Sequence, residues 1–324
     1  MTINQIYKLA IAMGIKNDLR GSVAVTKKLK RDQAKFNELK PVEQETFDME
    51  KLTNPYADAR MFAPNPDKPV KRILVGIDID VADLLLAKEL SKDKPIDLII
   101  SHHPVGEALA GLNEVMELQT EVLAKYGLPI NIAEKLTQKR ISEVGRALSP
   151  GNFQRIIQAS QLLDLPLVCV HTTTDNCVAT FLDKIIKKNK DKIERVEDLL
   201  KILNNIPEYK EATKQKQGPT LFAGNKENYT GKIVLTEITG GTSGSKDIYE
   251  KMAHYGFGTI VGMHMKEEYK EEAEKAHINV IIAGHMSSDS LGMNLFLDEL
   301  EKKDIEVIPC SGLIRVKRFK KKKY

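Results

Sequence analysis

The stretch Asp97-Leu98-Ile99-Ile100-Ser101-His102-His103-Pro104 decides the fold class. Its apolar run, bounded by Pro95 and Pro104, predicts a buried strand over residues 96–101. In a mostly parallel α/β sheet, ligands collect just beyond the carboxyl ends of the strands. Two imidazoles placed there can each offer a lone pair to a metal. Side chains that alternate in direction aim at different points, which suits two metals better than one. Taken alone, the pair has an ordinary reading too: one buried, hydrogen-bonded histidine beside an exposed one.

Two more apolar runs end in the same way. Residues 165–170 run into His171-Thr172-Thr173-Thr174-Asp175, and residues 278–283 into Gly284-His285-Met286-Ser287-Ser288-Asp289. The chain has only seven histidines, so three strand ends finishing in histidine is a concentration. Two of these sites carry a carboxylate four residues later. A helix starting near Met286 or Ser287 would turn His285 and Asp289 toward one point. Neutral imidazole with carboxylate suits Zn, Mn, Fe or Co, and a bridging carboxylate lets two cations sit close together.

These motifs resemble those of the Nif-three-like proteins (the NGG-interacting factor three family, also known as type 2 homologues of GTP cyclohydrolase I). The carrying segments are Ser101-His102-His103-Pro104, His171-Thr172-Thr173-Thr174-Asp175 and Gly284-His285-Met286-Ser287-Ser288-Asp289. The turn Gly240-Gly241-Thr242-Ser243-Gly244-Ser245 is similar to that family's Gly-Ser-Gly segment. The resemblance covers residues 71–315. It implies an α/β fold of two lobes with a dinuclear metal site in the cleft between them. The implied ligands of two divalent ions are His102, His103, Asp175, His285 and Asp289, with His171 close by, either supporting a ligand or facing substrate. It further implies a metal-dependent hydrolase acting on a nucleotide, with a cyclohydrolase reaction that opens a ring at a C–N bond. A family named for an interaction equally implies a non-enzymatic metal- or nucleotide-binding scaffold. Related proteins are toroidal, which implies a homo-oligomer such as a hexameric ring.

The chain departs from the family pattern in three places. Asp289 stands where Glu is usual, one methylene shorter. The interval from His103 to His171 is long and carries additional helices that could shape a lid. A Trp-Asp-Asn segment is missing, since the chain has no Trp, and Asn54-Pro55-Tyr56-Ala57-Asp58-Ala59-Arg60 precedes the first strand instead.

The Gly-rich turn has two readings. Backbone N–H groups at a strand-to-helix junction bind anions, so Gly241, Ser243 and Gly244 could hold a substrate phosphate. The turn lacks the Gly-Lys-Ser/Thr ending of a P-loop, and a tight turn before a helix is the plainer account. His264 follows another strand and, with His171, is a candidate to move a proton. His254 and His277 read as helix-end residues. Asp78 and Asp80 are either partners of the site or caps of the next helix, the cap being favoured.

A length of 324 residues with 42% hydrophobic residues suffices for two lobes. The expected division is an N-terminal helix and polar extension (1–70), a first lobe with a helical insertion (71–213), and a second lobe with a basic tail (214–324). Strands are expected at 72–79, 96–101, 167–170, 232–237, 259–262, 279–283 and 305–308. Helices are expected at 81–90, 112–147 with breaks, 153–163, 178–187, 246–254, 266–276 and 291–302. Strand alternating with helix indicates α/β architecture. The three cysteines, Cys169, Cys177 and Cys310, show no paired spacing, which favours a reducing cytoplasm. Cys169 reads as a buried hydrophobe; Cys177, two residues past Asp175, has a minor claim to a metal. No apolar run reaches membrane-spanning length. A net charge of +4 is small, and much of it sits in a terminal tail read as solvated, so nucleic acid is not the expected partner.

Overall fold

Leu98–Ser101 forms a strand in which every residue is buried, as a continuous apolar run covered on both faces should be. In the computed structural model, which describes residues 1–319, the elements run as follows. From the amino end come α1 (Ile3–Lys16), α2 (Ser22–Glu38), the one-turn α3 (Pro41–Gln44) and β1 (Ala59–Phe62). Then come β2 (Arg72–Gly76), α4 (Val81–Leu90) and β3 (Leu98–Ser101). A helical stretch follows: α5 (Glu107–Ala110), α6 (Leu112–Val115), α7 (Glu117–Lys125), α8 (Ile130–Leu148) and α9 (Gln154–Leu162). Strand β4 (Leu167–Val170) leads into α10 (His171–Lys188), α11 (Val196–Asn204) and α12 (Pro207–Lys214). After β5 (Thr220–Ala223) and β6 (Lys232–Leu235) come α13 (Tyr249–His254), β7 (Phe257–Gly262) and α14 (Glu267–Lys275). The chain then forms β8 (Asn279–Ile282), α15 (His285–Glu301) and β9 (Glu306–Pro309).

There are two mixed sheets. The first has the order β1-β4-β3-β2-β9 and the second β5-β8-β7-β6. In the first, β2, β3, β4 and β9 are parallel and β1 is antiparallel on β4, with Ala59 opposite Val170. In the second, β6, β7 and β8 are parallel and β5 is an antiparallel edge. Both sheets are covered on both faces. On the first, Ile73, Val75, Leu98 and Ile100 pack with Ile3 and Ile6 of α1 and Phe296 of α15, while Leu74, Ile99 and Cys169 pack with Leu84 of α4 and Ile157 of α9. Each such fully buried side chain contributes about 1.5–3 kcal/mol of transfer free energy.

The division expected from sequence needs correcting at its last segment. β9 does not close the second lobe. It returns to the first sheet and pairs with β2, Arg72 opposite Glu306. Helix α15 makes the crossing, and it is buried along nearly its whole length. The polar extension is also more ordered than its composition suggests. It holds α2, whose buried residue is Val25, and the edge strand β1.

Two helices begin earlier than periodicity indicated. α10 starts at His171 rather than 178, and α15 at His285 rather than 291. The opening residues of α10 are buried, and those of α15 are buried from Ser287 on, so no amphipathic alternation marks these starts. Gly284 starts α15 with φ 103°, and a Cβ there would meet Gln217 O and Ser287 Oγ at 2.6 Å each. Only glycine fits that entry. Asp80 caps α4 through the Ala82 N–H, as expected. The start of the basic tail is not solvated. Arg318 makes a two-pronged pair with the buried Glu208, and Arg315 pairs with Asp298 and Glu301. The expectation for residues 320–324 lies outside the described residues. No described helix is long and apolar enough to cross a membrane.

Candidate metal centre

The carboxyl ends of strands from both sheets meet at one cluster. β3 delivers His102 and His103, which follow Ser101 directly. The first turn of α10, after β4, delivers His171 and Asp175. The first turn of α15, after β8, delivers His285 and Asp289. On a helix the i, i+4 spacing puts each His and Asp on one face. β7 ends just before His264, whose ring lies edge-on to His285 with centroids 4.9 Å apart. Every metal-site residue expected from sequence is therefore in this cluster.

The histidine rings are held from behind. His103 Nδ1 lies 2.6 Å from Asp78 Oδ1. His171 Nδ1 lies 2.8 Å from Asp58 Oδ2, which also accepts from the Thr172 hydroxyl. His102 Nδ1 lies 3.0 Å from Thr174 Oγ1. That hydroxyl can donate to Val170 O, so it can accept from His102. These partners assign the proton of each neutral ring to Nδ1, and the Nε2 lone pair then faces the cluster.

What the lone pairs face is more acceptors. His102 Nε2 lies 3.4 Å from both Asp175 Oδ1 and Asp289 Oδ1. His103 Nε2 lies 3.4 Å from Asp289 Oδ2 and 3.3 Å from His285 Nε2. His285 Nε2 is 3.5 Å from Asp289 Oδ2. His102 Nε2, Asp175 Oδ1 and both Asp289 oxygens are buried without a hydrogen-bond partner. Buried acceptors left facing one another are costly. A cation removes that cost, and these donor atoms lie close enough together to hold a metal ion.

The electrostatics differ from group to group: His103 and Asp175 hold protons near pH 7 that a cation would displace. Burial pushes His102 down to about 4, so its ring is neutral near pH 7. Burial also lowers His103, but Asp289 and Asp78 outweigh it and raise it to about 9. Asp175 is raised well above the carboxylate range by burial and by the Asp289 and Asp58 charges. Asp289 also suffers burial, yet His102, His103 and His285 hold it below its ordinary value. His264 falls to about 4, through burial first and His285 second.

The Gly-rich turn splits in its roles. Gly241 and Thr242 line a recess together with His171, Asp175, His264 and His285. Ser243 Oγ sits 3.3 Å from His264 Nδ1. Gly244 faces a neighbouring recess. The Gly240 and Thr242 carbonyls both accept from Gln119 of α7, so the inserted helices clamp the turn beside the cluster. Cys177 faces elsewhere: its thiol contacts Thr173 O and Asn17, and burial pushes it up to about 12. Sequence reasoning passed over Asp58 as a support and ranked Asp78 as a cap. Asp58 lies in the segment that stands in place of Trp-Asp-Asn, and its only local signal is an acid just before a strand.

The geometry has a close counterpart among solved structures. A NIF3 superfamily protein from Sphaerobacter thermophilus superposes with TM-score 0.70 and 27% identity, over 79% of this chain and 92% of that one. The chain thus resembles the Nif-three-like proteins in fold as well as in its motifs. Two more distant structures are reduced HcgD from Methanocaldococcus jannaschii (TM-score 0.49, 16% identity, 82% and 94% coverage) and a Bacillus cereus protein related to NIF3 (0.43, 9%, 90% and 98%). No family model matches the chain, and no curated protein matches it.

Proposed function

We propose that this Nif-three-like chain is a dinuclear metal-dependent hydrolase acting on a nucleotide-like small molecule. The observation that carries the proposal is the set of buried, unpartnered acceptors at His102, Asp175 and Asp289. They divide into two ligand groups. His102 Nε2, Asp175 Oδ1 and Asp289 Oδ1 would hold one divalent ion; His103 Nε2, His285 Nε2 and Asp289 Oδ2 would hold the other. Asp289, with an oxygen turned to each group, would be shared by both. Imidazole and carboxylate donors suit Zn, Mn, Fe or Co. Such a pair of ions supplies Lewis acidity, making water a nucleophile near neutral pH and stabilising developing negative charge.

The chain's own residues do the rest. His171, its Nδ1 fixed by Asp58, and His264, held by Ser243, border the recess and are placed to move a proton. Gly241, Ser243 and Gly244 belong to the turn that would carry a substrate phosphate. The nucleotide and the cyclohydrolase reaction rest on resemblance, as does a ring-shaped homo-oligomer; a reducing cytoplasm rests on the three cysteines that show no paired spacing.

The test is metal content by elemental analysis of protein purified without chelator, beside a His102→Ala/His285→Ala variant. About two metals per chain, lost in the variant, supports the site and justifies screening nucleotides for hydrolysis. Tight metal binding with no turnover of any nucleotide would favour the scaffold. No metal under any loading condition refutes the proposal.

A further inference from the structure

Beyond the end of β6 the chain turns through Thr236 and Glu237. Glu237 holds a left-handed backbone with φ 56°, a conformation that persists in a non-glycine residue only where its surroundings enforce it, often at ligand sites. One carboxyl oxygen, Oε1, accepts from Tyr249 Oη at 3.4 Å. The other, Oε2, is buried with no hydrogen-bond partner.

Glu237 stands in the partition between two recesses. On one side are His171, Asp175, His264 and His285. On the other is a slot with an apolar wall of Val122, Leu123, Leu235, Ile248 and Met252, lined as well by Gln119, Thr137 and Tyr249, with about 30 Å³ of room. That is space for about two water-sized groups. Apolar walls with a few placed polar groups are how small-molecule sites fix orientation.

We propose that Glu237 is a substrate-binding residue, its free oxygen accepting a hydrogen bond from an N–H or O–H of the substrate. The substrate class follows from the two sides. Its reacting group lies at the His–Asp cluster, its hydrogen-bond donor is next to that group, and a short apolar arm enters the slot. This rests on the metal-site reading above. A buried acceptor without a partner is paid for by the ligand that supplies one, and a ligand lacking the donor is rejected. Burial pushes the Glu237 carboxyl up to about 7, against the opposing pull of the Gly244 N–H, the Ser243 hydroxyl, Tyr249 and the Arg140 charge.

Hydroxamates on the zinc-loaded chain test this, because they chelate metal and carry an N–H beside the chelating atoms. Acetohydroxamate and N-methylacetohydroxamate, which lacks that N–H, are titrated by calorimetry into wild type, Glu237→Met and Glu237→Gln. Metal content of each variant, by elemental analysis, shows that the cluster is intact. Wild type should prefer the N–H compound by at least about tenfold. The preference should collapse in Glu237→Met and partly return in Glu237→Gln, whose carbonyl can still accept. Lengthening the probe to propionohydroxamate should tighten binding about fourfold per methylene, a gain that Val122→Ile should remove by filling the slot. The same preference in wild type and Glu237→Met, with metal retained, overturns the role of Glu237. Indifference to chain length overturns the apolar arm. A wild-type chain that holds no zinc refutes the metal-site reading, and this inference with it.

Discussion

Gly292 should be intolerant of even one added methyl group. α10 and α15 cross there, and a Cβ on Gly292 would sit 2.4 Å from Thr174 O and 2.8 Å from Val178 Cγ2. The Thr174 carbonyl is helix backbone and cannot rotate aside. Opening 2.4 Å to ordinary contact asks the helices to part by about 1 Å. Two terms then oppose each other in Gly292→Ala. Mid-helix Gly→Ala alone stabilises by about 1 kcal/mol, whereas overpacking a tight core costs about 3 kcal/mol at the upper end. The net loss is about 2 kcal/mol. At an unfolding entropy of about 2.1 cal/mol/K per residue over 324 residues, the Tm should fall by about 3 °C. The functional effect should be larger. Asp175 and Asp289 ride on these two helices, each 3.4 Å from His102 Nε2. Metal sites tolerate about 0.2 Å, so zinc affinity should drop at least about tenfold. Thermal melts of the metal-free protein and competitive zinc titrations read the two effects separately. An alanine variant that melts higher than wild type, with zinc affinity within twofold, would refute the close-crossing argument, because propensity alone would then account for it.

Other expectations follow from the same reasoning. Arg318→Ala leaves Glu208, which is 0% exposed, with only Asn294 donating to it among the described residues; an unpaired buried charge costs about 3–5 kcal/mol. The variant's melting temperature should fall clearly, and Glu208→Gln added to it should recover part of the loss; no change in Tm would show the pair to be inert. Asp78→Asn should weaken zinc binding by about 10–100-fold, because His103 loses the carboxylate that orients it. Competitive titration checks this, and unchanged affinity would mean that the ring is held by packing alone. Glu237, raised from the ordinary 4.5 to about 7, keeps its proton longer in the folded state, so its contribution to stability falls as pH rises from about 4.5 to 7. Glu237→Gln should lack this fall and gain roughly 3 kcal/mol relative to wild type between the two ends. Denaturant unfolding of both proteins across that window measures it, and parallel pH profiles would contradict the assignment.

The ligand cluster was legible in the sequence because its signal is local. A strand's apolar run ending in histidine, or a His–Asp pair at i, i+4, needs no tertiary information. The supports were harder to see. Asp58 serves a histidine 113 residues away, and nothing near it in sequence marks that. Glu237 is conspicuous only through its left-handed backbone and its unpartnered oxygen, neither of which a sequence displays. The helix starts at His171 and His285 were hidden for a different reason. Thr172, Thr173 and Thr174 are β-branched and poor helix formers, and burial on all sides erases the periodicity that locates most helices. The return of β9 to the first sheet was invisible because a parallel pairing across the whole chain leaves no trace in its four residues.

That return explains how a site assembled from two sheets can be held to ligand tolerances. α15 begins at the carboxyl end of β8 in the second sheet and ends by feeding β9 into the first. Asp289 lies in its opening turn, so the carboxylate that faces His102, His103 and His285 is carried by the element that ties the sheets together. α10 does the same from the other direction. Its first turn follows β4 of the first sheet, while Val178, Ala179 and Leu182 pack into one core with Leu291 of α15 and with Leu235, Val261 and Ile281 of the second sheet. Hinging the sheets apart would pull these side chains out of that shared core, at about 1.5–3 kcal/mol for each large one exposed. Ligand access by such opening is therefore disfavoured. A site built this way keeps its donor atoms close together before any cation arrives, which is what preorganised ligation requires.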